Sequence, residues 1–206
     1  MAPHAVACGK RLAAARGAWI CFQDEAGQSL RPPKARTWAR RGHTPVVRIS
    51  GKGSGRVSLT GIVCLRPGHR GRFVWRTITH HGRTSERSSF TEADYAALLD
   101  QLHHRLKAPI VLVWDNLNTH VSAAMRKLIA ARTWLTVVRL PPYAADLNPT
   151  EGAWSHVKRG IANIAVRGVD HLSVVLKQRL RVVQRQPDLI AGFLAQTGMT
   201  LLPEPP

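Results

Sequence analysis

The feature that most constrains this chain is the run IVLVWD (residues 110–115), apolar at every position but the last. A continuous apolar run of that length suits a central strand covered on both faces. Ahead of it, Tyr95, Leu98, Leu99, Leu102 and Leu106 recur at helical spacing behind Thr91, a residue able to cap a helix, and Pro109 ends the segment. After it, Val121, Met125, Leu128 and Ile129 mark a second amphipathic helix, and WLTVVRL (134–140) reads as another buried strand. Helix, strand, helix and strand therefore alternate from 91 to 140, which implies parallel strands joined by crossovers.

The first half has a different rhythm. AWICFQDE (18–25) is a short apolar run ending abruptly in acids, as a buried strand does where it surfaces at a sheet edge. The basic stretch RPPKARTWARRGHTP (31–45) has no helical period, and its Trp38 is expected in the core. Strand-like segments follow at VVRIS (46–50), RVSLTGIVCL (56–65) and RFVWRTIT (72–79), separated by the turn-forming GKGSG (51–55) and RPGHRG (66–71). This predicts an antiparallel meander. Toward the C-terminus, Trp154, Val157, Ile161 and Ile164 form one helical stripe. Leu172, Val175, Leu176, Arg179, Leu180 and Val183 form another, with Asp170 as candidate cap. Pro187 breaks the second, and a short helix is expected over 188–196. A three-stranded antiparallel meander followed by α/β units in a mixed sheet, with a helical C-terminus, is the order of a ribonuclease H-like fold. Composition alone would not choose it. Residues 1–17 read as a linker or helix tail, 18–165 as the main domain and 166–206 as a helical extension.

Charge narrows the partner. The 206 residues carry 30 Lys and Arg against 12 Asp and Glu, a net charge of +18. Cations that neutralise phosphates release condensed counterions, so the expected partner is nucleic acid, with an anionic membrane surface or an acidic protein as alternatives. Residues 1–90 hold 17 of the basic residues and only three acids, Asp24, Glu25 and Glu86. The three cysteines, Cys8, Cys21 and Cys64, have neither disulfide nor zinc spacing, which fits a reducing compartment. The N-terminus has no signal-peptide pattern, and no stretch reaches the roughly 18–20 apolar residues of a bilayer span. A soluble, cytoplasmic protein without a membrane partner is expected.

Three acids stand out by position. Asp24 follows the first strand run, Asp115 ends the central one, and Glu151 opens a helix in PPYAADLNPTE (141–151). Carboxylates converging from separate elements are what hard divalent cations require, with positions left open for phosphate and water. Two such ions roughly 3.5–4 Å apart can activate an attacking oxygen and stabilise a leaving one. Each acid also has a plain structural reading. Asp115 could be a loop residue or a helix cap. Asn148 at the N-cap, Pro149 at N1 and Glu151 at N3 resemble a capping box. Glu25 competes with Asp24, because alternation along a strand lets only one of them face a given side. A His-based nickase needs a His-x-His pair, whereas His80–His81 and His103–His104 are adjacent.

The segments CFQDEAG (21–27), RTWARRGHTPV (36–46), VLVWDNLNTH (111–120) and LPPYAADLNPTEGAWSHVK (140–158) resemble the DDE transposases of bacterial insertion sequences. The nearest resemblance is to the six-thirty insertion-sequence family, related to mariner elements, and it runs from about residue 18 to 185. Thirty-five residues lie between Asp115 and Glu151, close to that family's spacing. The resemblance implies that Asp24, Asp115 and Glu151 are catalytic and bind two Mg2+ ions, with Mn2+ as substitute. It implies strand cleavage at element ends followed by strand transfer into double-stranded target DNA, at TA sites, by a homodimer. Arg36, Arg40, Arg41, Asn148, Lys158 and Arg159 would contact DNA. Asn116 and Asn118 would orient the loop after Asp115, and His120 would start the next helix or touch substrate. Relatives carry N-terminal helix-turn-helix modules for end recognition, and residues 1–17 are too short for one. Asp146 replaces the family's usual Glu. A catalytically inactive DNA-binding remnant and another ribonuclease H-like nuclease are the competing readings.

Overall fold

A computed structural model describes residues 2–43, 46, 55–87, 89–142 and 144–201, with backbone only for 2–5. Helix α1 (Ala2–Ala15) precedes strand β1 (Trp19–Ser29), which is longer than its apolar pattern indicates. The polar continuation AGQS stays in the strand because β2 (Arg56–Leu65) pairs with it as far as Ser29↔Arg56. β2 in turn pairs antiparallel with β3 (Arg72–His80), completing the meander. The strand expected at 46–50 lies, except for Val46, outside the described residues.

Helix α2 (Glu92–Leu106) begins at Thr91, whose hydroxyl accepts from Asp94 N–H while the Asp94 carboxylate accepts from Thr91 N–H. The five apolar residues that define its pattern are all buried. It leads into β4 (Ile110–Trp114), parallel to β1 and buried at every position. The next amphipathic stretch is two helices instead of one. Ser122 ends α3 (Asn118–Val121) and caps α4 (Ala123–Ala130) by accepting from Met125 N–H at 3.0 Å. Strand β5 (Leu135–Arg139) pairs only with β4, so it is an edge strand in which Leu135 alone is fully buried, not the covered strand its sequence suggests. A 3-10 turn (Ala145–Leu147) precedes α5 (Pro149–Gly160), then α6 (Val169–Arg185) and α7 (Pro187–Gln196). Gly168, and not Asp170, occupies the cap position of α6; the Asp170 carboxylate instead meets His81 Nε2 at 3.0 Å.

The sheet order is β3-β2-β1-β4-β5. One face, with Ile20, Phe22, Val63, Val111 and Val113, is covered by α1, α5, α6 and α7. The other, with Trp19, Cys21, Ile62, Leu112 and Trp114, is covered by α2 and α4. This mixed sheet, covered by helices on both faces, is the ribonuclease H-like architecture that the order of elements predicts. Among the described residues, no helix is long and apolar enough to cross a membrane.

Helix α5 packs against the sheet through Trp154, whose ring lies edge-on to Phe73 at 5.9 Å between centroids. Gly61 makes that approach possible, since a Cβ there would stand 2.7 Å from the Trp154 ring and 2.9 Å from Phe73. Gly61→Ala is therefore expected to destabilise the fold by roughly 1–3 kcal/mol through overpacking. Gly27→Ala, where a Cβ would meet nothing within 4 Å, should stay within about 0.5 kcal/mol of wild type. Denaturant melts of both variants decide the matter; equal losses would mean that close packing at Gly61 is not the cause.

Candidate active site

β1 and β4 pair from Trp19↔Ile110 to Phe22↔Val113. Asp24 and Asp115 each lie two residues past that last pair, so the register brings them level where the two strands part. Asp24 is therefore not at a strand end. It lies mid-strand, opposite Gly61 on β2 and on the face that α5 covers. The N-terminus of α5 docks at this point. Thr150 Oγ1 donates to the Phe22 carbonyl at 2.7 Å, and Asn148 Nδ2 donates to the Gln23 carbonyl at 2.9 Å. Asn148 Oδ1 meanwhile accepts from Thr150 N–H at 3.1 Å, capping the helix, and Pro149 stands at its first position. Glu151 follows on the exposed side of the same turn. One turn later, Trp154 donates its indole N–H to Asp24 Oδ2 at 2.9 Å.

The acids have unlike environments. Asp24 is half-buried, and its carboxyl is pushed up to about 7. Burial is the largest cause and repulsion by Glu151 the next, with Asp115 adding to it; the Glu25 N–H and the Trp154 indole pull the other way. Asp115 is exposed and lies below the ordinary aspartate value, chiefly because His120 hydrogen-bonds it at 2.8 Å. The Leu117 N–H, at 3.0 Å, donates to the same oxygen, Oδ1. His120 itself is 3% exposed, stacked on Trp114 at 4.1 Å and edge-on to Tyr95 at 5.0 Å. Donation to a carboxylate assigns the proton to His120 Nδ1. Glu25 alternates to the opposite face, where burial raises its carboxyl and the nearby His120 counteracts. Asn116 Nδ2 donates to the Leu140 carbonyl at 2.9 Å, tying the loop after β4 to the end of β5.

Among the described residues, no three His, Cys, Asp or Glu side chains stand close enough together to hold one metal ion. The donor chemistry of Asp24, Asp115 and Glu151 nevertheless fits hard divalent cations. All three offer oxygen, and the protein donors to Asp115 converge on one of its two oxygens. The raised Asp24 carboxyl also reflects a crowding of negative charge that a cation would relieve.

Residues 19–173, or 155 of the 206, match the family model described as DDE superfamily endonuclease. The chain belongs to that family. Its fold is similar to several structures of Mos1 mariner transposase. One is the paired-end complex with Mg, at 14% identity and a TM-score of 0.59, covering 96% of this chain and 61% of that one. The strand transfer complex gives 16% identity and a TM-score of 0.54, with coverage of 87% and 55%. The isolated catalytic domain gives 13% and 0.51, with coverage of 97% and 94%. The chain thus spans little more than half of the transposase chains in those complexes, 56% in the paired-end complex with Mn, and nearly all of the catalytic domain. At such identities the likeness is one of fold. Comparison with curated protein sequences gives no match.

Among the cations expected on DNA, Lys158 and Arg159 line a groove that Glu151 also lines. Lys158 and Arg159 are exposed on α5, and Arg36, Arg40 and Arg41 are exposed on the segment between β1 and β2. Trp38, on the same segment, is fully exposed and not in the core, because that segment runs outside the sheet. Asn148 is turned inward, 5% exposed, and its side chain brackets β1 to α5. The sequence reading places Trp154 in a core stripe and leaves Thr150 without a role. Their signal was proximity to Glu151, one residue before it and three after it, at a helix start.

The raised Asp24 carboxyl has a consequence for stability. A folded-state value of about 7 against 3.8 for an ordinary aspartate means no penalty below pH 4 and a growing one as pH rises to 7. Asp24→Asn should stabilise the metal-free protein at pH 8 by roughly 2–4 kcal/mol and change little at pH 4. Thermal melts in EDTA at the two pH values test this; equal shifts would show that the Asp24 charge is not what burial penalises.

Proposed function

We propose that this chain is the catalytic domain of a DDE transposase, of the bacterial six-thirty insertion-sequence kind, which cuts and joins DNA strands at element ends. The observation that carries this reading is the level register of Asp24 and Asp115 on parallel strands, with Glu151 brought alongside by the docking of α5 on the Phe22 and Gln23 carbonyls. The family match supports it, as do Mos1 structures with Mg, with Mn, with a left transposon end and as a strand transfer complex.

Asp24, Asp115 and Glu151 would hold two divalent ions, Mg2+ or Mn2+. When bound, the ions would activate the attacking oxygen and neutralise charge on the leaving one. The residues of the chain supply the rest. His120 and Leu117 N–H fix the Asp115 carboxylate, and Trp154 fixes that of Asp24. Arg36, Arg40, Arg41, Lys158 and Arg159 would bind the DNA backbone. In the first step water attacks a phosphodiester at the element end, leaving a 3′-hydroxyl and a 5′-phosphate. In the second that 3′-hydroxyl attacks a target phosphodiester, expected at TA, and displaces a new 3′-hydroxyl. Positioning and charge neutralisation are the main demands of such displacements. A homodimer on paired ends, and end recognition by a separate helix-turn-helix module, complete the reading; light scattering of the DNA complex tests the dimer.

The deciding experiment is cleavage of a supercoiled plasmid carrying presumptive element ends, with Mg2+, Mn2+ or EDTA. Nicking that needs metal and falls at least about 100-fold in Asp115→Asn is the expected result, since lost transition-state electrostatics commonly costs that much. Persistent nicking in Asp115→Asn, or in EDTA, would overturn the assignment. Unchanged DNA binding without cleavage by the wild-type chain would favour an inactive DNA-binding remnant.

A further inference from the structure

The chain leaving β1 does not swing free. At Pro33–Ala35 it runs beside the C-terminal half of α5 and is fastened there by Asn163. Asn163 Oδ1 accepts from Ala35 N–H at 3.1 Å and its Nδ2 donates to the Ala35 carbonyl at 2.8 Å. Its backbone N–H donates to the Pro33 carbonyl at 3.1 Å. Three bonds thus come from one residue, which adopts a left-handed backbone with φ 59° that Asn tolerates better than most side chains. Between the fastened segment and α5 lies a groove. Pro33 and Lys34 form one wall, Ser155, Lys158 and Arg159 the other, and Glu151 lies at one end. Lys34, Lys158 and Arg159 are exposed.

We infer that this groove takes the sugar–phosphate backbone of one DNA strand next to the cleaved phosphodiester, and that Asn163 sets the position of its Lys34 wall. The inference rests on the endonuclease reading for its direction, toward Glu151, and on charge complementarity for its occupant. Lys158 lies seven residues, or about 10 Å, along the helix from Glu151. A DNA strand carries a phosphate about every 3.4 Å of helix axis, so Lys158 meets the backbone about three nucleotides from the reacting phosphate. Lys34, held across from it, clamps the same stretch. Asn163 is a positioning residue here: it touches no DNA and acts through Lys34.

The test measures binding of a short fluorescent DNA duplex in EDTA across a salt series, so that no cleavage intervenes. The proteins are wild type, Lys34→Ala, Lys158→Ala, Asn163→Gly and the Lys34→Ala/Asn163→Gly double variant. Glycine keeps the left-handed backbone and removes both side-chain bonds. Each lost phosphate contact should flatten the log–log salt dependence by about 0.9. Lys34→Ala and Lys158→Ala should each do so in the wild-type background. Lys34→Ala should do little more once Asn163→Gly has released its wall, and the Ala35 amide should exchange at least about tenfold faster in Asn163→Gly. The same Lys34→Ala effect in both backgrounds, no effect of Lys34→Ala or Lys158→Ala, or unchanged Ala35 exchange would each overturn the inference. Binding results of the expected kind, with plasmid nicking that persists in EDTA or in Asp115→Asn, would leave the groove standing and remove the endonuclease reading of the three acids; the reverse would remove only the groove.

Discussion

The structure turns on a strand that outlasts its neighbour. β4 ends its pairing with β1 at Phe22↔Val113, yet β1 runs on to Ser29. Where the two strands part, the Phe22 and Gln23 carbonyls accept hydrogen bonds from Thr150 and Asn148. Each bond contributes on the order of 1 kcal/mol net, but loss of one partner leaves a buried acceptor unsatisfied at a cost of about 1–3 kcal/mol. That asymmetry fixes α5 in place more firmly than the bonds alone would. The incomplete edge of the sheet is thus what brings a helix N-terminus, and Glu151 with it, to the gap between Asp24 and Asp115. Gly61 permits the same docking from below, by leaving room for Trp154.

Electrostatics at the gap run against the charge of the whole chain. A protein with net charge +18 would be expected to hold its carboxylates ionised, and a helix N-terminus beside them should help. Asp24 is instead raised to about 7, so burial and repulsion from Glu151 outweigh both the distant cations and the local donors. The long-range field is screened within about 10 Å at ordinary ionic strength, whereas desolvation acts at contact. Asp115 escapes because it is exposed and bonded by His120 and the Leu117 N–H. Two carboxylates level on adjacent strands thus titrate apart. The arrangement is one of stored repulsion, suited to a site that gains stability when cations arrive.

Much of the fold was legible because its signals are local. Residues 56–65 became β2, the Thr91 cap opened α2, and residues 110–114 became the covered central strand. The misreadings have a common cause in tertiary context. AGQS has no apolar pattern, but a ladder with β2 holds it in the strand. Residues 135–139 look covered, but nothing in their period reveals that they form the sheet edge. Trp38 has the composition of a core residue and stands in solvent. The three acids were visible at the ends of patterned segments. What holds them was not: the Trp154–Asp24 and Thr150–Phe22 bonds span 130 and 128 residues, and no local pattern encodes them.

His120 shows how such a site is kept in shape at some cost. Its ring is buried between Trp114 and Tyr95, so its orientation is set by packing before any hydrogen bond is counted. An exposed carboxylate such as Asp115 would otherwise sample several rotamers, and one fixed donor beside it removes that freedom. The rear of the ring is less comfortable. His120 Nε2 and Glu25 Oε1 are both buried and, among the described residues, have no hydrogen-bond partner. The His120 ring still bears on Glu25, since it counteracts the rise that burial causes there. A core chosen for stability alone would replace such a half-satisfied pair with apolar side chains. Its presence directly behind Asp115 is consistent with stability yielded locally so that the front of the site keeps its geometry.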